Sequence, residues 1–144
     1  RTFCYFSALN KSYSSFEDNL SLRDFTPVYD AVEACKVVLE KGLPYEYYNI
    51  TNSEAISVKK LGEIISKFFN SKAIFSTKTE WRHGDIRHAV SCNIKLLKLG
   101  FEPKYTIEQV IKEYVEWFKK QNLDFDRFLK TQKEMRKNGQ IRSK

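Results

Sequence analysis

Arg23 stands in Leu22-Arg23-Asp24-Phe25, and Arg82 stands in Arg82-His83-Gly84-Asp85. A guanidinium carries its donors in a fixed fork that pairs bidentately with phosphate oxygens. Two such groups on separate loops could clamp a pyrophosphate from two sides, while Asp85 could accept hydrogen bonds from ribose or sugar hydroxyls. Gly84 would let backbone approach that ligand closely. The plainer reading is that Arg23–Asp24 and Arg82–Asp85 are loop ion pairs, which are common and contribute little. Spacing alone favours the plainer one. Trp81, next to Arg82, could stack on a base, although packing is the more usual task of a tryptophan.

A reaction centre is harder to find. The sequence has no GxSxG, P-loop or HExxH pattern. Its five glycines, at 42, 62, 84, 100 and 139, are too dispersed for GxGxxG. None of the eight tyrosines is followed four residues later by Lys, so a Tyr-xxx-Lys acid/base pair is absent. Cys4, Cys35 and Cys92 are odd in number, widely spaced and without a CxxC pair. They make neither a disulfide framework nor a zinc site and fit a reducing, cytoplasmic setting. His83 and His88 have only Asp85 beside them at ligand spacing, so no metal site is expected. No catalytic residue is assigned.

The elements that must hold these loops can be read from periodicity. Residues 1–12 begin apolar and suggest a helical piece or buried strand, and Ser12 to Phe16 a short β-like run ending in the turn Glu17-Asp18-Asn19. Pro27 marks a helix start that Asp30 could cap, with Ala31, Val32, Ala34, Cys35, Val38 and Leu39 as its apolar stripe and Gly42 as its stop. Tyr45 to Ile50, bounded by Pro44 and Asn52, reads as a strand. Ser57 caps a second helix facing Val58, Leu61, Ile64, Ile65, Phe68 and Phe69 inward, followed by a short strand from Ala73 to Ser76. Residues 78–89 read as loop. Asn93 could cap a short helix ended by Gly100, and Thr106 with Gln109 has capping-box spacing for a helix to about Lys120. Ile107, Val110, Ile111, Tyr114 and Phe118 would face inward on that helix. The alternation of strand and helix is an α/β signature.

The 144 residues suit one globular unit, and 11 Phe, 8 Tyr and 2 Trp supply more apolar surface than a disordered chain carries. Apolar runs of a few residues fall far short of the roughly twenty that span a bilayer. Of the formal +7, residues 121–144 carry +4 and residues 1–120 only +3. Such a tail is usually a solvated face, helical or partly disordered, so nucleic-acid binding is the weaker reading. Arg rather than Met at position 1, with no basic-then-apolar leader after it, suggests a piece of something longer or a processed product.

The run Arg23-Asp24-Phe25-Thr26-Pro27-Val28-Tyr29-Asp30-Ala31-Val32-Glu33-Ala34 resembles the loop-to-helix segment of the NAD-dependent nucleotide-sugar epimerase/dehydratase family, the extended short-chain dehydrogenases. Tyr48-Asn49-Ile50, the helix after Ile56-Ser57, Arg82-x-Gly84-Asp85, Leu99-Gly100-Phe101-Glu102-Pro103 and the helix from Thr106 through Trp117-Phe118 follow in the family's order. The resemblance covers about residues 8 to 120 and implies the C-terminal portion of a Rossmann-type fold, a smaller mixed α/β substrate lobe, with the glycine-rich NAD-binding half absent from this chain. It divides the chain into 1–120, the substrate-binding portion, and 121–144, the basic tail.

The resemblance also implies roles. Arg23 and Arg82 would contact the nucleotide diphosphate, and Asp85 the ribose or neighbouring polar groups. Asn49 matches a strand-end Asn, either on the cofactor side or structural. The helix near Asp30 and the Tyr48-Asn49-Ile50 segment would pack onto the dinucleotide-binding sheet. NAD is implied for the full-length family enzyme and not for this chain alone. The partners implied are a nucleotide-diphosphate sugar, the N-terminal NAD-binding half and, as an allowed arrangement, a homodimer. The expected function is nucleotide-sugar binding within an epimerase or dehydratase of carbohydrate biosynthesis, an isomerase or lyase like UDP-glucose or UDP-glucuronate 4-epimerase, with the isolated chain inactive. A non-catalytic truncated paralogue serving as a regulatory or assembly module is the alternative.

Overall fold

The computed structural model describes residues 1–121 and 125–143. The elements run α1 (Thr2–Ala8), β1 (Tyr13–Ser15), β2 (Leu22–Asp24), α2 (Val28–Lys41), β3 (Ala55–Ser57), α3 (Val58–Phe69), β4 (Phe75–Thr77), β5 (Glu80–Arg82), α4 (Ile94–Lys98), α5 (Ile107–Lys119), α6 (Phe125–Lys137) and β6 (Ile141–Ser143). The strands form three two-stranded sheets: β1 with β4 in parallel, β2 with β3 antiparallel, and β5 with β6 antiparallel.

One core fills the space between α1, α3 and α5. Ile64 and Ile65 meet Ile111, Val115 and Phe118 there, with Cys4 and Tyr5 from α1. The Tyr5 and Phe69 rings meet Phe118 edge-on at centroid distances of 5.2 and 6.1 Å. Gly62 lets the Phe75 ring of β4 lie against α3, since a Cβ there would come within 2.9 Å of it. Ser57 caps α3 by accepting from the Lys60 amide at 3.1 Å. Thr106 and Gln109 close their capping box on α5, as their spacing requires.

A smaller core gathers Ala34 of α2, Leu96 of α4 and Phe101. Asp30 does not cap α2. It lies fully buried and its carboxylate accepts from the amides of Lys104 and Tyr105 at 3.0 and 3.2 Å. Pro27 occupies the cap position instead. Asn93 likewise leaves α4 uncapped, donating to the Thr51 carbonyl at 2.8 Å and accepting from the Ser53 hydroxyl at 2.7 Å. Both side chains serve a distant segment rather than their own helix.

Two further expectations give way to tertiary contacts. Residues 45–50 form no strand: Tyr45 adopts a left-handed φ of 63°, and the Tyr48 hydroxyl accepts from the Leu43 amide at 3.1 Å. On α2 the apolar stripe is split. Ala34 is buried, whereas Val32, Cys35 and Leu39 face outward. On α5, Val115 takes the fully buried place while Tyr114 is partly exposed.

The chain exposes 9910 Å². A compact monomer of its 17.0 kDa is expected to expose about 7,700 Å². Among its exposed apolar residues, Val28, Val32 and Leu39 recur at helical spacing on α2, and Leu43, Tyr45 and Tyr47 follow them. No helix among the described residues is long and apolar enough to cross a membrane.

Candidate functional site

Arg23 lies at the centre of β2, which pairs with β3 on one side. On the other it meets the strand-like segment at Ala89, through the Ala89 amide to the Leu22 carbonyl at 3.0 Å and the Asp24 amide to the Ala89 carbonyl at 3.2 Å. The Arg23 guanidinium completes this tie. Its Nη1 donates to the carbonyls of Leu22 and Arg87, both at 2.8 Å, and its Nη2 to that of Ile86 at 2.7 Å. Arg23 therefore fixes the position of the second arginine loop, keeping its Nε–H and one Nη2–H for another partner. Asp24 does not pair with Arg23. It accepts from the Thr51 hydroxyl, the Asn52 amide and the Thr26 hydroxyl, which anchors β2 to the 51–53 turn.

Arg82 ends β5. Gly84, at φ +83°, then turns the chain so that the Asp85 amide donates to the Arg82 carbonyl at 3.2 Å. The turn brings the Asp85 carboxylate to 3.1 Å from Arg82 Nε, with the two side chains 46% and 44% exposed. An ion pair so open to water is weakly held, and an incoming anion can replace its carboxylate. The Arg82 guanidinium also lies over the Phe16 ring, 5.3 Å from its centroid. Arg87, further along, ion-pairs with Glu17 and Asp18, and its hydrogen bond to Asp18 holds that carboxyl below the usual carboxylate range.

Arg23, Arg82 and Asp85 all line one cleft of about 370 Å³. Ser15 and Phe16 of the β1 end, and Phe128 and Gln132 of α6, line it with them. Ser15 is buried, and its hydroxyl has no hydrogen-bond partner among the described residues. A buried polar atom left unpaired is costly unless something arrives to pair with it. Burial pushes the phenol of Tyr13, also in the wall, above its usual range.

Asn49 lies outside this cleft. Its amide donates to the Cys92 carbonyl at 3.3 Å. Trp81 lines a separate groove with Glu17, Asp18, Lys78, Thr79 and Arg87. His88 Nδ1 accepts from the Leu22 amide at 3.3 Å. Reading the sequence missed Ser15, Phe128 and Gln132. Ser15 carried a faint signal, as a small polar residue in a β-like run just before a turn. Gln132 carried none, because its place follows from how the tail packs.

None of the five glycines stands at a strand-to-helix turn in front of a helix N-terminus. Gly62 lies inside α3, Gly42 and Gly100 follow helices, and Gly84 and Gly139 lie in turns away from helix starts. The backbone cradle that a dinucleotide pyrophosphate requires is thus not formed by these residues.

No protein-family model matches the chain. The chain is 33% identical over 108 residues to the dTDP-D-glucose 4,6-dehydratase of Mus musculus, covering 70% of itself and 30% of that relative. Its fold superposes on dTDP-glucose 4,6-dehydratase of Bacillus anthracis in complex with NAD at a TM-score of 0.70 and 28% identity, covering 83% of this chain and 38% of that one. A UDP-glucose 4-epimerase of Thermotoga maritima, solved with UDP-glucose, gives 0.67 and 28% over the same shares. The chain spans about a third of the length of the curated relatives it matches.

The fold is an α/β portion of an extended short-chain dehydrogenase. Within that class the chain belongs with the nucleotide-sugar epimerases and dehydratases, as a counterpart of their C-terminal portion.

Proposed function

We propose that this chain binds the nucleotide diphosphate of a sugar nucleotide, as the substrate side of an NAD-dependent epimerase or dehydratase. The observation that carries this is the convergence of Arg23 with the Arg82–Asp85 turn, about sixty residues further along the sequence, on one cleft. Arg82 exchanges its exposed Asp85 partner for phosphate oxygens, and Arg23 adds its remaining donors while holding the 86–87 backbone. Asp85, released, accepts from the ribose.

NAD belongs to a complementary half that packs on the exposed apolar face of α2 and the 43–48 segment. That face offers Val28, Val32, Leu39, Leu43, Tyr45 and Tyr47 as apolar contacts to such a half. Hydride transfer and the acid/base pair come from that half, so this chain alone is inactive. Relatives named for dehydration and for epimerisation leave a dehydratase and a UDP-glucose or UDP-glucuronate 4-epimerase as the two reactions to compare. Three unpaired cysteines suit a cytoplasmic setting.

Calorimetric titration with UDP, dTDP, GDP and ADP tests the reading. The chain is expected to bind at least one with an affinity that Arg82→Ala lowers about tenfold or more, the scale of a lost charge-assisted contact. No heat with any nucleotide, from a folded chain, overturns it. Nucleic-acid binding has less support. Arg136 of the basic tail is forked onto Glu80 at 3.1 and 2.9 Å instead of standing free for phosphates.

A further inference from the structure

The tail is a strap with a route across the site. Helix α6 packs by Phe128 against the rings of Tyr5 and Phe6, at centroid distances of 6.5 and 6.0 Å. Arg136 then forks onto Glu80, and the hydrogen bonds hold that carboxyl below its usual range. The chain turns at Gly139, the His83 amide donates to the Gln140 carbonyl at 2.9 Å, and β6 pairs along β5 with Arg82 opposite Ile141. Strand β5 thus gets its only sheet partner among the described residues from the tail. These residues lie beyond the stretch that carries the family resemblance.

Along that route α6 presents Gln132 to the same cleft as Arg82 and Asp85. The Gln132 side-chain amide makes no hydrogen bond within the described residues, while the buried Ser15 hydroxyl beside the cleft is also unpaired. A primary amide offers a donor and an acceptor side by side. Uracil and thymine present an N–H between two carbonyls, and such an edge takes both bonds from one amide. Phe16 and Phe128 add aromatic walls to the cleft, against which a base ring can stack.

We propose that α6 forms the base-recognition wall of the cleft, with Gln132 as a specificity-determining residue for a pyrimidine imide. The proposal rests on the reading that the cleft holds a nucleoside diphosphate. Gln132 contacts the base and not the phosphates, so its loss separates two affinities that a merely structural residue would change together.

The test is calorimetric titration of the full chain with UDP, CDP and inorganic pyrophosphate. Gln132→Leu is expected to weaken UDP about tenfold and to leave pyrophosphate unchanged. Gln132→Glu, which keeps only acceptors, is expected to lower UDP relative to CDP, whose exocyclic amine can donate to a carboxylate. Thermal unfolding and circular dichroism of both variants report whether α6 is retained; because two chemistries are tried at one position, folding failure of one leaves the other decisive. Wild-type affinity and base preference in a folded variant overturn this proposal alone. A wild-type chain that binds neither UDP nor pyrophosphate overturns the reading of the cleft with it.

Discussion

Ile64, Ile65, Val115 and Phe118 lie buried among aromatic rings, whereas Val28, Val32 and Leu39, as apolar and as regularly spaced, face solvent. Both sets lie on amphipathic helices. The first set finds partners in this chain, because α1, α3 and α5 converge on one another. The second shares α2 with Ala34, which packs on Leu96 and Phe101, so α2 has a further apolar face that no buried cluster among the described residues covers. Periodicity reports that a helix has something to bury. It does not report against what. The contrast separates the side that this chain closes by itself from the side left exposed among the described residues.

The largest effect belongs to the closed side. Phe118→Ala, at a position 1% exposed, is expected to cost about 3–5 kcal/mol in urea denaturation through lost burial and a residual cavity. A cost under about 1 kcal/mol would dissolve the distinction between the two sides. Asp30→Ala comes next. It leaves the amides of Lys104 and Tyr105 without their acceptor and is expected to cost about 1–3 kcal/mol in the same measurement. If it costs nothing, the α2 side is not anchored by that carboxylate.

Leu39→Gln, at 86% exposure, is expected to change the stability of the chain by no more than about 0.5 kcal/mol. It should instead weaken capture of an NAD-binding half supplied in trans, followed by sedimentation. A large stability loss with unchanged association would move Leu39 to the closed side.

The smallest effect is local and depends on pH. Hydrogen bonding to Arg136 holds Glu80 below its usual 4.5, so the folded strap binds this proton less readily than the unfolded chain. The stabilisation is complete above the usual value and is lost as pH falls through the depressed one. The protection factor of the His83 amide, taken relative to intrinsic exchange at each pH, is expected to fall on acidification, and Arg136→Gln is expected to remove that dependence. An equal fall in protection in both proteins would show that Glu80 is not the group responsible.

What could be read in advance follows from the range of the interaction. The α3 cap at Ser57, the Thr106–Gln109 box and the start of α2 at Pro27 are written within a few neighbouring residues. Asp30 and Asn93 look like caps by the same local rule, yet each holds backbone many residues away. Strand β5 was hidden for a similar reason: residues 78–89 are polar, and β6, the strand that pairs there, comes far later in the chain. Tyr45 to Ile50 has strand composition, but composition supplies no neighbour, and the backbone turns left-handed at Tyr45. In the cleft, Arg23, Arg82 and Asp85 could be named from their types and order. Gln132 could not, since only the packing of Phe128 and the Arg136–Glu80 fork brings α6 there.

The pairing of Glu80 with Ser143 has a temporal consequence. During synthesis the α1–α3–α5 core can assemble once α5 has emerged, but β5 must wait for β6 before its register is set. The strand that carries Arg82 is therefore among the last parts to be completed. Until then the nascent chain has a core but no finished cleft, so completion of the cleft follows assembly of that core rather than accompanying it.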